Sequence, residues 1–339
     1  RFDGVELVST RVDPAEIEAA KGRIPGDVLA ALEAAAESIA AYHEAQMPHD
    51  VDFRRPGLRI AGMHRPVERA GCYVPGGRAV YPSTVLMTAV PARVAGVEEI
   101  VVCVPPGPDG KVPDVTLAAA AVAGVSEVIP VGGAQAIGAM AYGTETIRPV
   151  DVIVGPGNVY VAIAKQEVAG VVGVPSSFAG PSEVVVIADG SAPADFAAID
   201  VILQAEHGPD GLAWLITWDE GVADEVTAAV ERLVSTAPRR ADIEATLEKS
   251  GYAVVCDSAE QALAVSNFIA PEHLELQIED PASLIPLVRH AGAIFCGPWS
   301  PASIGDYVAG PSHVLPTNGT ARFSSALTVR DFMKDIHVV

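Results

Sequence analysis

Glu183-Val-Val-Val-Ile-Ala188 sets five consecutive apolar residues behind one carboxylate, and residues 193–207 then carry apolar side chains at helical spacing. A strand that is apolar on both faces belongs inside a sheet covered by helices on both sides, which is the signature of parallel pairing. The alternation continues with strand 212–217, helix 222–235, strand 252–256, helix 260–268, strand 274–277, helix 282–290 and strand 293–296. An earlier run has the same rhythm: strand 99–104, helix 115–124, strand 127–131, a helix from Ala134, strand 150–154 and helix 159–168. Such spacing predicts right-handed crossovers between parallel strands. The expected fold class is therefore α/β, with two parallel sheets and a boundary near residue 180. Upstream, 11–46 predicts packing helices, and the charged, Pro-punctuated stretch 48–70 predicts a connecting hairpin.

Composition narrows the function classes. The chain has 339 residues, 50% hydrophobic but only 5% aromatic, which suits helices and buried parallel strands. A formal charge of -21 argues against a nucleic-acid binder and against an anionic membrane surface, both of which call for surplus Lys and Arg. Cys103, Cys256 and Cys296 fall inside apolar runs without CxxC spacing, the usage of small core residues in a reducing compartment. The longest uncharged apolar run, 115–125, is too short to cross a bilayer, and no signal peptide is visible. The expected location is the cytoplasm.

Chemistry-bearing residues cluster in three places. Gln204 and His207 end the helical pattern and, three residues apart, share one helix face. With a carboxylate from elsewhere they make a three-ligand zinc set that leaves a position open for substrate. Taken alone, they read more simply as a polar helix end with His capping the last carbonyls. Pro271-Glu272-His273 lies at a helix-to-strand turn and offers two adjacent bases, or a surface Glu beside a capping His. Asp306 and His313 sit in a Gly/Pro-rich loop longer than a connector needs. Tyr73-Val-Pro-Gly-Gly77, Gly132-Gly-Ala-Gln135 and Gly155-Pro-Gly-Asn158 lie at or near the carboxyl ends of strands, where open parallel sheets bind ligands. Their glycines suit phosphate cradling or ordinary tight turns, and none matches GxGxxG.

Taken together these stretches resemble histidinol dehydrogenase. The matching motifs are Glu68-Arg-Ala-Gly-Cys-Tyr-Val-Pro-Gly-Gly77, Val131-Gly-Gly-Ala-Gln-Ala136, Gly155-Pro-Gly-Asn158 and Ala179-Gly-Pro-Ser-Glu183. They continue with Gln204-Ala-Glu-His-Gly-Pro-Asp210, Pro271-Glu-His-Leu274, Gly297-Pro-Trp-Ser-Pro301, Gly305-Asp-Tyr307 and His313-Val-Leu-Pro316. The resemblance runs in one order from Arg1-Phe-Asp-Gly4 nearly to the end. It implies a zinc enzyme that uses two molecules of NAD in succession to oxidise L-histidinol, through bound L-histidinaldehyde, to L-histidine. It also implies Gln204, His207 and Asp306 as zinc ligands, and His273 as the base for the alcohol. Glu272 would activate water, Ser182 and His313 would line the substrate site, and Tyr73, Gln135 and Asn158 would contact NAD.

The same resemblance implies two incomplete Rossmann-like domains, with 73–182 binding NAD and inserted into a zinc and substrate domain made of 1–72 and 183–327. In the family a helical tail follows the segment resembling 331–339. That tail carries a substrate-contacting Glu and a His that serves as fourth zinc ligand in the neighbouring subunit of a homodimer. This sequence stops at Val339 and His337 lies too early to match, so 328–339 is expected to begin a truncated tail. The alternative is a member of the same family acting on a different polar alcohol. The absence of HExxH and GxSxG counts against a zinc hydrolase. The joint presence of Glu272, His273 and Asp306 counts against a non-catalytic assembly protein.

Overall fold

The computed structural model describes residues 5, 7, 9–76, 79–175, 180–208 and 210–339. Contacts divide the chain into two compact units. The first comprises Arg1–Ser177, Gly305–Val314 and Leu327–Val339, and the second Phe178–Ile304 and Leu315–Ala326. Gly77, the quoted Arg1–Gly4, Ala179 and Pro209 lie outside the described residues.

The first unit opens with α1 (Pro14–Ala19) and α2 (Gly26–Ala45), followed by β1 (Val51–Arg55), β2 (Leu58–Pro66) and β3 (Arg69–Tyr73). It continues with α3 (Pro82–Ala95), β4 (Glu99–Cys103), α4 (Asp114–Ala123), β5 (Glu127–Ile129), α5 (Gly133–Tyr142), β6 (Val152–Val154) and α6 (Val159–Val168). Strands β3 to β6 form a parallel sheet of order β5-β4-β3-β6. The order reverses at β3, where successive crossovers go to opposite sides, and such a switch opens a crevice at the strands' carboxyl ends. Each sheet face has its own core. Ala70, Cys72 and Val102 face Leu32 and Ile39 of α2 and the apolar sides of α3 and α4, while Tyr73, Val101 and Ile153 face α5 and α6. At the amino edge the buried Arg69 guanidinium pairs with Glu99 and, at 2.8 Å, with Glu127, so one cation ties three strands together.

The second unit contains β7 (Glu183–Ala188), α7 (Ala194–Ala205), β8 (Leu212–Thr217), α8 (Glu220–Val234), α9 (Arg240–Ser250) and β9 (Gly251–Val255). It adds α10 (Ala259–Ile269), β10 (His273–Gln277), α11 (Pro281–Leu284) and β11 (Ala293–Cys296). Its sheet is parallel throughout, in the order β11-β10-β7-β8-β9, with the switch between β7 and β10. All six residues of β7 are buried, as its continuous apolar run requires. The remaining elements are α12 (Ala302–Tyr307) and β12 (Met333–Val338).

The α/β class with two Rossmann-like parallel sheets is as expected. The compact division is not the expected one, because residues 1–72 pack with the first sheet and 178–304 is flanked in sequence by segments of the first unit. The cause is the apolar face of α2, whose Leu32, Ala36 and Ile39 are buried in the same core as Ala70 and Val102. Three local readings also change. Residues 48–70 form the hairpin β1-β2, which gains a third, antiparallel strand in β12. The helix expected over 282–290 is one turn of α11 followed by a 3-10 turn, Ile285–Leu287, because Pro286 removes a backbone donor. Helices α9 and α12 stand where no helix was expected.

Candidate active site

In the second unit α10 ends at Ala270 in a left-handed conformation (φ 56°), which breaks the helix and turns Pro271-Glu272 into β10. The β10 register sets His273 opposite Val184 on β7, so Glu183 meets Glu272 and His273 at the amino end of the sheet. His273 and Glu272 are both buried. The His273 Nδ1 lies 2.9 Å from the Glu183 carbonyl oxygen. A carbonyl oxygen only accepts, so Nδ1 carries a proton. The Glu272 Oε2 is 3.5 Å from the same Nδ1, but it accepts a better bond from the Glu183 N–H at 3.0 Å. The His273 ring also stacks on Phe295 of β11, with centroids 5.9 Å apart. Ser182, half-buried, precedes β7 at this edge, where its carbonyl accepts from Leu212 N–H.

Gln204 and His207 lie at the end of α7 in the same unit. Gln204 is buried, and its carboxamide oxygen has no hydrogen-bond partner among the described residues. An orphaned buried oxygen is costly unless something binds it, and it suits a cation. His207 donates its Nδ1 proton to the Leu203 carbonyl at 3.0 Å, which leaves Nε2 available on an exposed ring. That is the tautomer a metal-binding His needs, with the second nitrogen fixed by a carbonyl. The Nδ1 bond caps a carbonyl, as a polar helix end would. One turn earlier on α7, Asp200 accepts from Gln277 Nε2 at 2.7 Å, and Gln277 Nε2 also donates to Glu275 at 3.0 Å. Burial raises both carboxyls, and Asp200 beside it raises Glu275 further. Glu275 Oε1 accepts the N–H of Ala302, the first residue of α12.

Tyr73, Gln135, Asn158, Asp306 and His313 belong to the first unit. The three sequence-selected loops do converge at the carboxyl edge of its sheet. Gly155 has φ 101°, and a Cβ there would enter the Tyr73 carbonyl oxygen; Cβ atoms on Gly76 and Gly132 would meet the Pro105 ring. Backbones pressed this closely form a cradle that only glycine permits. The Tyr73 hydroxyl accepts from Gly133 N–H at 3.0 Å, so this buried side chain shapes the loop that carries the exposed Gln135. Asn158, exposed, caps α6, its Oδ1 accepting from Tyr160 and Val161 N–H at 3.1 Å. The buried Lys165 ammonium donates to the Gly155 carbonyl and so pins the loop from below; burial lowers its pKa to about 8. His313 donates from Nδ1 to the Asp306 carbonyl at 3.1 Å and accepts from the Thr84 hydroxyl at 3.2 Å, and desolvation lowers its pKa to about 4. A separate cavity of about 660 Å³ in this unit, lined by Arg11, Asp13, Asp109 and Lys111 among others, contains none of these residues.

The histidinol dehydrogenase family model matches residues 1–339. This chain belongs to the histidinol dehydrogenase family. A histidinol dehydrogenase of Synechococcus sp. is 52% identical over 341 residues, spanning 100% of this chain and 78% of that relative. One of Neisseria gonorrhoeae is 51% identical over 330 residues, 97% of this chain and 76% of that one. The crystal structure of histidinol dehydrogenase from Elizabethkingia anophelis matches with a TM-score of 0.96 at 40% identity, covering 99% of this chain and 78% of that one. Histidinol dehydrogenases are oxidoreductases, and the chain is one by family. Sequence reading did not single out Glu183, Asp200, Glu275 and Lys165, the buried ionisable residues beside the candidate side chains. The available signal was the same in each case: one ionisable residue in or beside an otherwise apolar run.

Proposed function

We propose that this chain oxidises L-histidinol to L-histidine in two successive two-electron steps, each reducing one NAD, with L-histidinaldehyde kept bound between them. Gln204 Oε1, His207 Nε2 and the Asp306 carboxylate would hold zinc, which would supply a Lewis acid to bind and orient the substrate. The observation that carries the reading is the buried pair of Glu272 and His273, with the His273 Nδ1 committed to the Glu183 carbonyl, so that Nε2 is the ring nitrogen assigned to take the proton. In the first step Nε2 takes the alcohol proton while the carbinol carbon loses its hydride to NAD, which leaves the aldehyde. In the second, Glu272 takes a proton from water as the oxygen adds to the aldehyde carbon. The hydrate then loses hydride to a second NAD and a proton to solvent, giving the carboxylate. Ser182 and His313 line the substrate site, and Tyr73, Gln135 and Asn158 shape and contact the NAD cradle. Burial of both bases keeps bulk water away from the aldehyde.

Family membership also supports a homodimer working in histidine biosynthesis in the cytoplasm. Among the described residues no helix is long and apolar enough to cross a membrane. The test is NADH formed per histidinol consumed with zinc added. About two per substrate supports the double oxidation. One per substrate places the chemistry at a single step or on a different alcohol, and none removes the proposal for this chain.

A further inference from the structure

Glu183 carries a buried carboxylate that the proposed chemistry does not consume. Four hydrogen bonds run from this one residue. Its N–H donates to Glu272 Oε2 at 3.0 Å, and its carbonyl accepts from His273 Nδ1 at 2.9 Å. Its side chain returns the contact, with Oε2 accepting from the Glu272 N–H at 3.3 Å and Oε1 accepting from the Asn318 N–H at 3.0 Å. Glu183 and Glu272 therefore form a reciprocal ring in which each carboxylate takes the other's main-chain proton. Asn318 stands at φ 54°, in a turn that the Thr320 hydroxyl also braces by donating to the Thr317 carbonyl at 2.7 Å.

We propose that Glu183 is a positioning residue whose carboxylate clips the Pro271-Glu272 turn to the Thr317-Asn318 turn, and thereby holds both bases in place. The proposal rests on the reading of Glu272 and His273 as those bases. Two inward-facing N–H groups need two acceptors, and an ionised carboxylate supplies both. A carboxamide supplies one acceptor and turns an N–H against the other donor. A buried N–H left without an acceptor is costly, so a clip of this kind holds the backbone to a narrow range of positions. Burial pushes the Glu183 carboxyl up to about 6, opposed by the bonds from Asn318 and Glu272, so the acceptor-only form is the one present at neutral pH. The side chain acts on Glu272 directly through its backbone, and on His273 only through the next peptide. Its loss should therefore fall harder on aldehyde oxidation than on alcohol oxidation.

The test compares the full-length wild-type chain with Glu183→Gln and Glu183→Ala, the near-isosteric Gln guarding against a variant that fails to fold. Amide hydrogen exchange is read at Glu272, Asn318, Val185 and Leu274, and single-turnover rates are read for histidinol and for histidinaldehyde. In Glu183→Ala, exchange at Glu272 and Asn318 should rise about tenfold or more while Val185 and Leu274 keep their protection. Glu183→Gln should release one of the two amides and keep the other. Aldehyde oxidation should slow about tenfold more than alcohol oxidation, with KM for histidinol within about threefold. Unchanged exchange at Glu272 in both variants overturns the clip. Faster exchange with equal loss in both steps, or with none, overturns its role in placing the bases. If the wild-type chain oxidises no histidinol, the failure is that of the functional reading, and the exchange data still decide the clip.

Discussion

His273 donates its Nδ1 N–H to the carbonyl of Glu183 across 2.9 Å, and in the proposed mechanism that bond leaves Nε2 as the reacting nitrogen. Because the acceptor is a strand carbonyl within a parallel ladder, the ring cannot exchange tautomers without breaking the bond. The Glu272 carboxylate is held by the N–H of the same residue. The two proposed bases thus share one support, the backbone of Glu183.

Replacing His273 by Ala should slow alcohol oxidation by roughly a hundred- to ten-thousand-fold while leaving zinc content near that of wild type. Glu272→Gln should mainly slow the aldehyde step. Rapid-quench rates for each half-reaction check both, and a Glu272→Gln variant impaired only in the alcohol step would reverse the assignment of the two bases.

Zinc content is the readout for α7. Removing the His207 imidazole with Ala, or the unsatisfied Gln204 oxygen with Leu, should weaken zinc binding by about tenfold or more. Metal analysis after equilibrium dialysis measures it. Chelation of the wild-type chain should abolish turnover and leave the far-UV circular dichroism unchanged, since both sheets have their own apolar cores. Full zinc retention by Gln204→Leu would remove that residue from the donor set.

Gly155→Ala tests the cradle. With φ at 101° and the Tyr73 carbonyl in the way, a methyl group should cost about 1–3 kcal/mol of backbone strain, with the clash in addition. Denaturant unfolding should show that loss, and KM for NAD should rise while zinc content stays unchanged. A fully stable variant with unaltered KM would mean the loops are less tightly pressed than described.

The pH dependence of stability should carry the signature of Glu183. Its carboxyl is raised in the folded chain from 4.5 to about 6, chiefly by burial. Between those values the folded state holds a proton that the unfolded state has released, so this group's contribution is fully present below pH 4.5 and is lost as pH rises through 6. At about 1.36 kcal/mol per pH unit the change is about 2 kcal/mol. The stability of wild type relative to Glu183→Gln should therefore decline by about that amount from pH 4 to pH 7, followed by urea unfolding. A flat difference would mean that burial does not raise this carboxyl.

Strong local patterns were legible without coordinates. Runs such as Val184 to Ala188 can be buried on both faces only within a covered parallel sheet, and that is where they lie. Weak or non-local ones were not. Helix α9 buries only Ile243 and Thr246, too few residues to form an apolar stripe. Helix α12 is six residues in a Gly/Pro-rich loop, and β12 finds its partner β2 more than 260 positions away in sequence. The apolar face of α2 showed that the helix must pack, but not against which sheet.

The sequence by itself determined the α/β class, the two parallel sheets and the positions of the glycine loops, because backbone periodicity is a local property. Tertiary structure decided at which edge of each sheet the candidate residues gather. In the first unit the glycine loops lie at the carboxyl ends of β3, β5 and β6, and Arg69 closes the amino edge with ion pairs. In the second unit Glu183, Glu272 and His273 gather at the amino ends of β7 and β10, contrary to the usual carboxyl-end rule. Only the pairing register brings residues 183 and 273 within hydrogen-bond reach, and register depends on how whole faces pack, which no single stretch of chain encodes.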